Sequence, residues 1–201
     1  MKKILLTGFA PFQNFTSNPS ELVVRKIVSD SSFRDLVDGL VLSVSYEGSF
    51  KELEKVFNPE RHSRVLMLGL AAGRRKISLE RVALNWIEST APDDEGKNSN
   101  ARPLIAGAPS ALISPLPLVD WALALDEAGI QSEVSLNAGG YVCNSLYFRT
   151  LFWLNDLKGG LFVHLPPLPS SSEDFESTMD LGLQVQGVQI LLQKLAALEL
   201  S

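Results

Sequence analysis

A single cysteine, Cys143, follows two glycines in the stretch AGGYVCNSLYF, residues 138–148. A thiol in the first turn of a helix is a candidate nucleophile. The helix N-terminus favours the thiolate, and its free backbone N–H groups can receive a developing oxyanion. A strand, a glycine turn and a nucleophile at a helix start form a recurrent arrangement for acyl transfer. The competing role is packing, because free cysteine is among the most buried residue types. The residues by themselves leave both roles open.

A thiol nucleophile needs a base, and the chain has two histidines, His62 and His164. His62 lies in the polar stretch PERHS, residues 59–63, and reads as a surface-loop residue. His164 ends the apolar run LFVHL before PPLP. It reads either as a buried structural histidine or as the base for Cys143. A third group would orient its ring. In ISLERVALN, residues 77–85, alternation puts Ser78, Glu80, Val82 and Leu84 on one face of a strand. A carboxylate at Glu80 among valine and leucine requires a partner. That partner is either an arginine among Arg74, Arg75 and Arg81, or the His164 ring. Other patterns are absent. GLAAGRRK lacks the ending of a phosphate loop, LNAGGY is not GxGxxG, and no His/Cys cluster has metal-ligand spacing. Asp93, Asp94 and Glu95 read as a solvated loop.

The elements that must position these groups follow from periodicity and turn chemistry. Strands are expected over residues 3–7, 40–46, 64–68, 77–85, 133–136 and 161–165. Helices are expected over 18–30, 49–57, 118–128, 141–154 and 173–198. Asn18 caps the first helix, with Pro19 in its first turn and Glu21 as a capping-box carboxylate; Ser49 and Glu52 suggest a second box. Gly129 stops the third helix. Leu181, Val185, Val188, Leu192 and Leu195 mark a core or oligomer face on the last. Residues 8–17, with Phe9, Phe12 and Phe15, form a loop, as do 166–172. Residues 89–110 form a longer one of the kind that serves as a lid or interface. Strands alternating with helices imply an α/β fold, one domain over 1–201, with helices on both faces of a largely parallel or mixed sheet. Ligands in such sheets bind at the carboxyl ends of strands. Cys143, His164 and the loop 69–73 are all expected there.

At 201 residues and 45% hydrophobic, the chain can bury a real core. Its net charge of -5 argues against a nucleic-acid or anionic-membrane partner. MKKILL carries two lysines, but its apolar run is too short for a signal peptide and reads as the first strand. No apolar segment approaches the ~20 residues that span a membrane. One cysteine excludes an intramolecular disulfide and suits a reducing cytoplasm.

Four segments taken together resemble the pyroglutamyl-peptidase I family, also called pyrrolidone-carboxylate peptidases. They are TGFAPF with NPS (7–12 and 18–20), GLAAGRRKISLERVALN (69–85), NAGGYVCN (137–144) and FVHLPPLP (162–169), in matching order and spacing. The resemblance implies a single-domain α/β/α sandwich with a mixed, largely parallel sheet. It implies a cysteine peptidase with Cys143 as nucleophile, His164 as base and Glu80 as orienting carboxylate. The substrate it implies is a peptide whose N-terminus is closed into pyroglutamate, 5-oxoproline. Phe9 and Phe12 match the family's phenylalanines that sandwich that flat lactam, and Asn18 matches the asparagine of NPS. Cytoplasmic residence, a homo-oligomer, commonly a tetramer, and no cofactor or metal are implied as well. Four features set this chain apart from the family pattern, one of them VHLPPLP in place of the commoner IHVP-type ending of the histidine strand. Gln13-Asn14 replaces Gly-Gly after PF; Ser89-Thr90-Ala91 lacks the arginine before Pro92-Asp93; and Leu70 stands where several members have glutamine. Two other readings stay open: a member that binds without cleaving, and another α/β enzyme of nucleoside phosphorylase-like fold.

Overall fold

A computed structural model describes residues 2–12, 16–169 and 178–198. In chain order its elements are β1 (Lys3–Phe9), α1 (Pro19–Ser29), β2 (Val37–Leu42), α2 (Gly48–Val56), β3 (His62–Leu70), β4 (Ile77–Glu80), β5 (Val82–Leu84), β6 (Ile87–Ser89), β7 (Ser99–Arg102), β8 (Ala111–Ile113), α3 (Leu118–Glu127), β9 (Ser132–Ser135), α4 (Val142–Leu154), β10 (Gly160–Leu165) and α5 (Leu181–Ala197). Six strands make one sheet in the order β2-β1-β3-β10-β4-β9. The first four run parallel, β4 runs against β10, and β9 runs parallel to β4. The sheet is therefore mixed and mostly parallel.

Successive strand side chains point to opposite faces, and here both faces are covered. Leu6, Leu68, Leu79 and Val163 pack with Ile27 of α1, Leu125 of α3 and Leu191 of α5. Leu5, Met67 and Phe162 pack with Leu53 of α2 and Leu146 of α4. Consecutive apolar residues such as Ile4-Leu5-Leu6 of β1 and Val65–Leu68 of β3 are what a sheet buried on both sides requires. The same alternation orients the candidate site. Phe162 faces α4, so His164 does too; Leu79 faces the other layer, so Glu80 faces α4.

Local chemistry explains the β1–α1 junction. Asn18 caps α1 by accepting the Ser20 N–H at 3.0 Å, and the Ser20 hydroxyl accepts the Phe9 N–H at 2.9 Å. A side chain at Gly8 would meet the Ser20 carbonyl oxygen at 2.4 Å, so glycine lets the helix start lie against the strand end. Glu21 does not complete a capping box; it pairs with Arg25 at 2.7 Å.

Several boundaries differ from expectation because distant partners claim the backbone. β2 ends at Leu42, because the Val44 and Tyr46 N–H groups donate to Asp94 and Asp93. α2 lacks the Ser49/Glu52 box: Glu52 accepts from Ser43, while the Ser49 hydroxyl donates to the Ser45 carbonyl. The strand expected over 77–85 breaks at Arg81, where β5 leaves to pair antiparallel with β8. Residues 89–110 are not a plain loop, since β6 and β7 pair antiparallel there. α5 starts at Leu181, capped by Asp180. Phe15, Gln13-Asn14 and the expected residues 170–177 of the last loop and helix lie outside the described residues.

Candidate active site

Glu80 ends β4, and His164 lies one residue from the end of β10. The antiparallel register puts His164 opposite Ser78, so Glu80 is its diagonal neighbour on the same face. Long side chains reach each other across such a diagonal. His164 Nδ1 and Glu80 Oε1 lie 2.7 Å apart, with both residues buried. A proton on Nδ1 donated to the carboxylate leaves Nε2 as the basic nitrogen. The Arg74 guanidinium donates to the same Oε1 at 2.6 Å. The ion-pair partner and the histidine partner are thus both present.

Burial, joined by the Arg74 charge, pushes the His164 ring below its ordinary value of 6.5 against the hydrogen bond and charge of Glu80, which raise it; the ring rests neutral. Burial pushes Glu80 up. The His164 hydrogen bond and charge, Ser135 and Arg74 outweigh that, and its carboxyl falls below the ordinary 4.5. Ser135 stands opposite Glu80 on β9. Both depressed values have one sign for stability. The unfolded chain binds these protons more tightly, so folding loses free energy as pH falls. The loss begins below 6.5 through His164 and continues below 4.5 through Glu80. Thermal melts from neutral to acid pH should show Tm falling in that order. A His164→Gln variant should lack the first part of the fall; an unchanged profile would contradict the buried neutral ring.

Cys143 is the second residue of α4. A Cβ placed on Gly69 would sit 2.9 Å from its Sγ, so the thiol rests directly on the β3 backbone. Gly69 is the strand partner of His164 in the parallel register. Thiol and imidazole therefore occupy neighbouring strand positions on one face. Cys143 is half-buried, but its thiol is closely packed. Burial, and then the Glu80 charge, push it up to about 12, so it rests protonated at neutral pH.

The turn before Cys143 needs both its glycines. Gly139 has φ of 87°, in the left-handed region. Gly140 accepts the Glu88 N–H at 3.0 Å, and a side chain there would strike the Glu88 carbonyl oxygen at 2.3 Å. Two further residues of α4 hold the nucleophile against the strands. Asn144 accepts the Leu84 N–H at 2.8 Å and donates to the Leu84 and Trp86 carbonyls, each at 2.9 Å. The Tyr147 hydroxyl donates to the Glu80 carbonyl at 3.0 Å. Sequence reasoning did not single out either one. The available signal was an asparagine beside the cysteine in a largely apolar helix, which implies a buried partner.

A small cleft of about 40 Å³ opens beside the thiol, lined by Phe9, Phe12, Asn18, Val44, Leu70, Tyr141, Val142 and Cys143. It brings the three expected substrate residues, Phe9, Phe12 and Asn18, to the candidate nucleophile. Asn18 also holds the Ala10 carbonyl at 3.1 Å, so capping and lining coexist. Tyr141 was not anticipated. Its hydroxyl donates to the Pro92 carbonyl at 2.8 Å, and its ring lies 6.4 Å from that of Phe12. His62 is not a surface residue: it is 4% exposed. Its Nδ1 accepts from the Asn58 N–H, and its Nε2 faces Asp38 at 3.0 Å. It starts β3, at the opposite end from Gly69, and serves structure. Asp93 is likewise buried rather than solvated, accepting from the Tyr46, Glu95 and Lys97 N–H groups. His164 and Gly69 lie at the carboxyl ends of β10 and β3 as expected, and the Cys143 thiol rests on Gly69, although the strand before Cys143, β9, runs against β10.

Comparison with known proteins places these features in a family context. A family model described as pyroglutamyl peptidase matches residues 2–197. The pyrrolidone-carboxylate peptidase of Halalkalibacterium halodurans is 37% identical over 199 residues, covering 96% of this chain and 98% of that protein. That of Pyrococcus furiosus is 35% identical over 176 residues, covering 86% and 84%. The solved pyrrolidone carboxyl peptidase from Fervidobacterium islandicum superposes with a TM-score of 0.90 at 34% identity, over 98% of this chain and 99% of its own. That from Thermococcus litoralis gives 0.91 at 28% identity, over 98% and 94%. Among the described residues, no helix is long and apolar enough to cross a membrane.

Proposed function

The chain belongs to the pyroglutamyl peptidase family, and from that premise we propose that it removes N-terminal pyroglutamate from peptides with Cys143, His164 and Glu80 as its catalytic triad. One observation carries the assignment of residues. The His164–Glu80 pair at 2.7 Å shares a sheet face with a thiol seated on the strand neighbour of His164.

The chemistry follows from the resting protonation states. Cys143 holds its proton and His164 is neutral, so attack is coupled to transfer of the thiol proton to His164 Nε2. Glu80 stabilises the imidazolium that forms. The thiolate attacks the pyroglutamyl carbonyl, forming the C–S bond. The carbonyl oxygen gathers negative charge, which the first-turn N–H groups of α4 can receive, since they lack intrahelical acceptors. Collapse of this intermediate breaks the C–N bond, and His164 protonates the leaving amine. Water, deprotonated by His164, then releases pyroglutamate and restores the thiol.

The cleft supports the lactam as substrate. Among the described residues, none of its lining side chains carries a full charge. A free α-ammonium would lose its hydration there without a counter-ion, whereas a neutral ring would not. Phe9 and Phe12 offer flat apolar walls, and Leu70 extends them where glutamine would have added a polar contact. The reading takes residues 1–201 as one domain in a reducing cytoplasm. Exposed Val119 and Leu123 on α3 support self-association into a homo-oligomer. The test is hydrolysis of a pyroglutamyl anilide beside a prolyl anilide, the same ring with a charged imino group. Turnover of the first alone is expected. Folded, reduced protein that binds the pyroglutamyl reporter without cleaving it would replace the peptidase reading with that of a binding protein.

A further inference from the structure

Among the described residues, the cation that hydrogen-bonds Glu80 of the candidate triad is Arg74, and it does more than neutralise that carboxylate. It sits in the β3–β4 connection, where its backbone N–H donates to the Ala71 carbonyl at 3.0 Å. Its Nη1 donates to Glu80 Oε1 at 2.6 Å, and its Nη2 donates to the Asn137 carbonyl at 2.8 Å. Asn137 opens the glycine turn that leads into Cys143. Its side chain accepts the Gly139 N–H at 2.8 Å, and its own N–H donates to the Ser135 hydroxyl. One planar fork therefore joins the carboxylate that orients the base to the turn that carries the nucleophile.

We propose that Arg74 is a positioning residue that fixes the distance and angle between His164 and Cys143 by clamping Glu80 and the Asn137 turn together. The proposal rests on the triad reading above. Arginine suits the role because its rigid guanidinium presents two donors to two separate acceptors at once; a lysine ammonium reaches as a point charge. A bare counter-ion for Glu80 would not need the second contact. The clamp also sets charge at the site. Its field favours the ionised Glu80 and the thiolate of Cys143, and it disfavours the imidazolium of His164. The other ionisable groups around the pair are Tyr147 of α4, Arg81 between β4 and β5, and Glu133 of β9, which holds Ser78 opposite His164. Their hydrogen bonds go elsewhere: Tyr147 to the Glu80 carbonyl, Arg81 to Ser114 and Leu116, and Glu133 to Ser78.

The experiment compares wild type, Arg74→Met and Arg74→Lys by kcat and KM for a pyroglutamyl anilide across pH, and by the pH dependence of iodoacetamide alkylation. The chain has one cysteine, so alkylation reports Cys143 alone. Arg74→Met should lower kcat about 100-fold, the scale of an ångström-sized misplacement, with KM changed less than about 3-fold. Both limbs of its pH profile and its alkylation curve should move to higher pH. Arg74→Lys should return the limbs toward wild type while recovering only part of kcat, because charge comes back without the fork. Unmoved limbs, an unmoved alkylation curve, or full recovery of kcat by lysine would overturn the clamp. If wild type does not turn over the reporter, the alkylation curve decides alone. A shift with Arg74→Met then sustains the hold of Arg74 on the site while the peptidase reading falls.

Discussion

Replacing Cys143 by serine should lower kcat/KM for a pyroglutamyl anilide by about 10⁴-fold or more, with little change in Tm. Serine is smaller and fits the seat over Gly69 without strain. The loss is therefore chemical. The thiol is already held up to about 12 by burial and the Glu80 charge, and His164 must draw its proton at the moment of attack. An alcohol in the same place is a weaker acid still and a poorer nucleophile, so the same base cannot activate it. Stoichiometric alkylation of wild type should remove activity to the same extent, because Cys143 is the only thiol. A serine variant within about tenfold of wild type would show that bond-making occurs elsewhere in the cleft.

The parts of this site that were legible in sequence are those whose cause is local. The two glycines, the cysteine at a helix start and the helix that follows are all contiguous. Their order along the chain is visible within ten residues, although the close approach that Gly140 permits is to Glu88, far along the chain. Strand alternation was enough to put Glu80 on a defined face of β4, and the apolar run before His164 was enough to bury it. The cap at Asn18 followed from residue type, and the helix formed as expected.

What was not legible depends on partners far along the chain. His62 looked like a loop residue because its neighbours are polar; Asp38, 24 residues away, draws it into β3. The run 77–85 reads as one strand whose second face, Ile77, Leu79, Arg81 and Ala83, does not alternate cleanly, yet the Arg81 carbonyl pairs with the Ser114 N–H and β5 turns into a separate two-stranded sheet. Asp93 looked solvated because it lies in an acidic run, but it organises three backbone N–H groups. For Glu80, sequence posed a choice between arginine and histidine. The carboxylate oxygen accepts from both, and spacing alone could not foresee a shared acceptor.

That shared acceptor makes Glu80→Gln the most informative change after the nucleophile. Glutamine keeps the volume, and its amide oxygen can still accept from Arg74 and the His164 Nδ1–H. What it loses is the negative charge that stabilises the imidazolium during proton transfer. A fall in kcat of about 10³- to 10⁴-fold is expected, the scale seen when the carboxylate behind a catalytic histidine is replaced by its amide. The direction of the pH effect separates this variant from Arg74→Met. Glu80 raises the proton affinity of His164 and Arg74 lowers it. Glu80→Gln should therefore move the acid limb of kcat/KM to lower pH, and Arg74→Met should move it higher. Glu80→Gln should also lose the part of the acid-induced fall in Tm that lies below 4.5, since that part comes from the carboxylate itself. Limbs that move in the same direction in both variants would mean that Glu80 and Arg74 act on activity through packing and not through the charge on His164, and the orienting role given to Glu80 would fail.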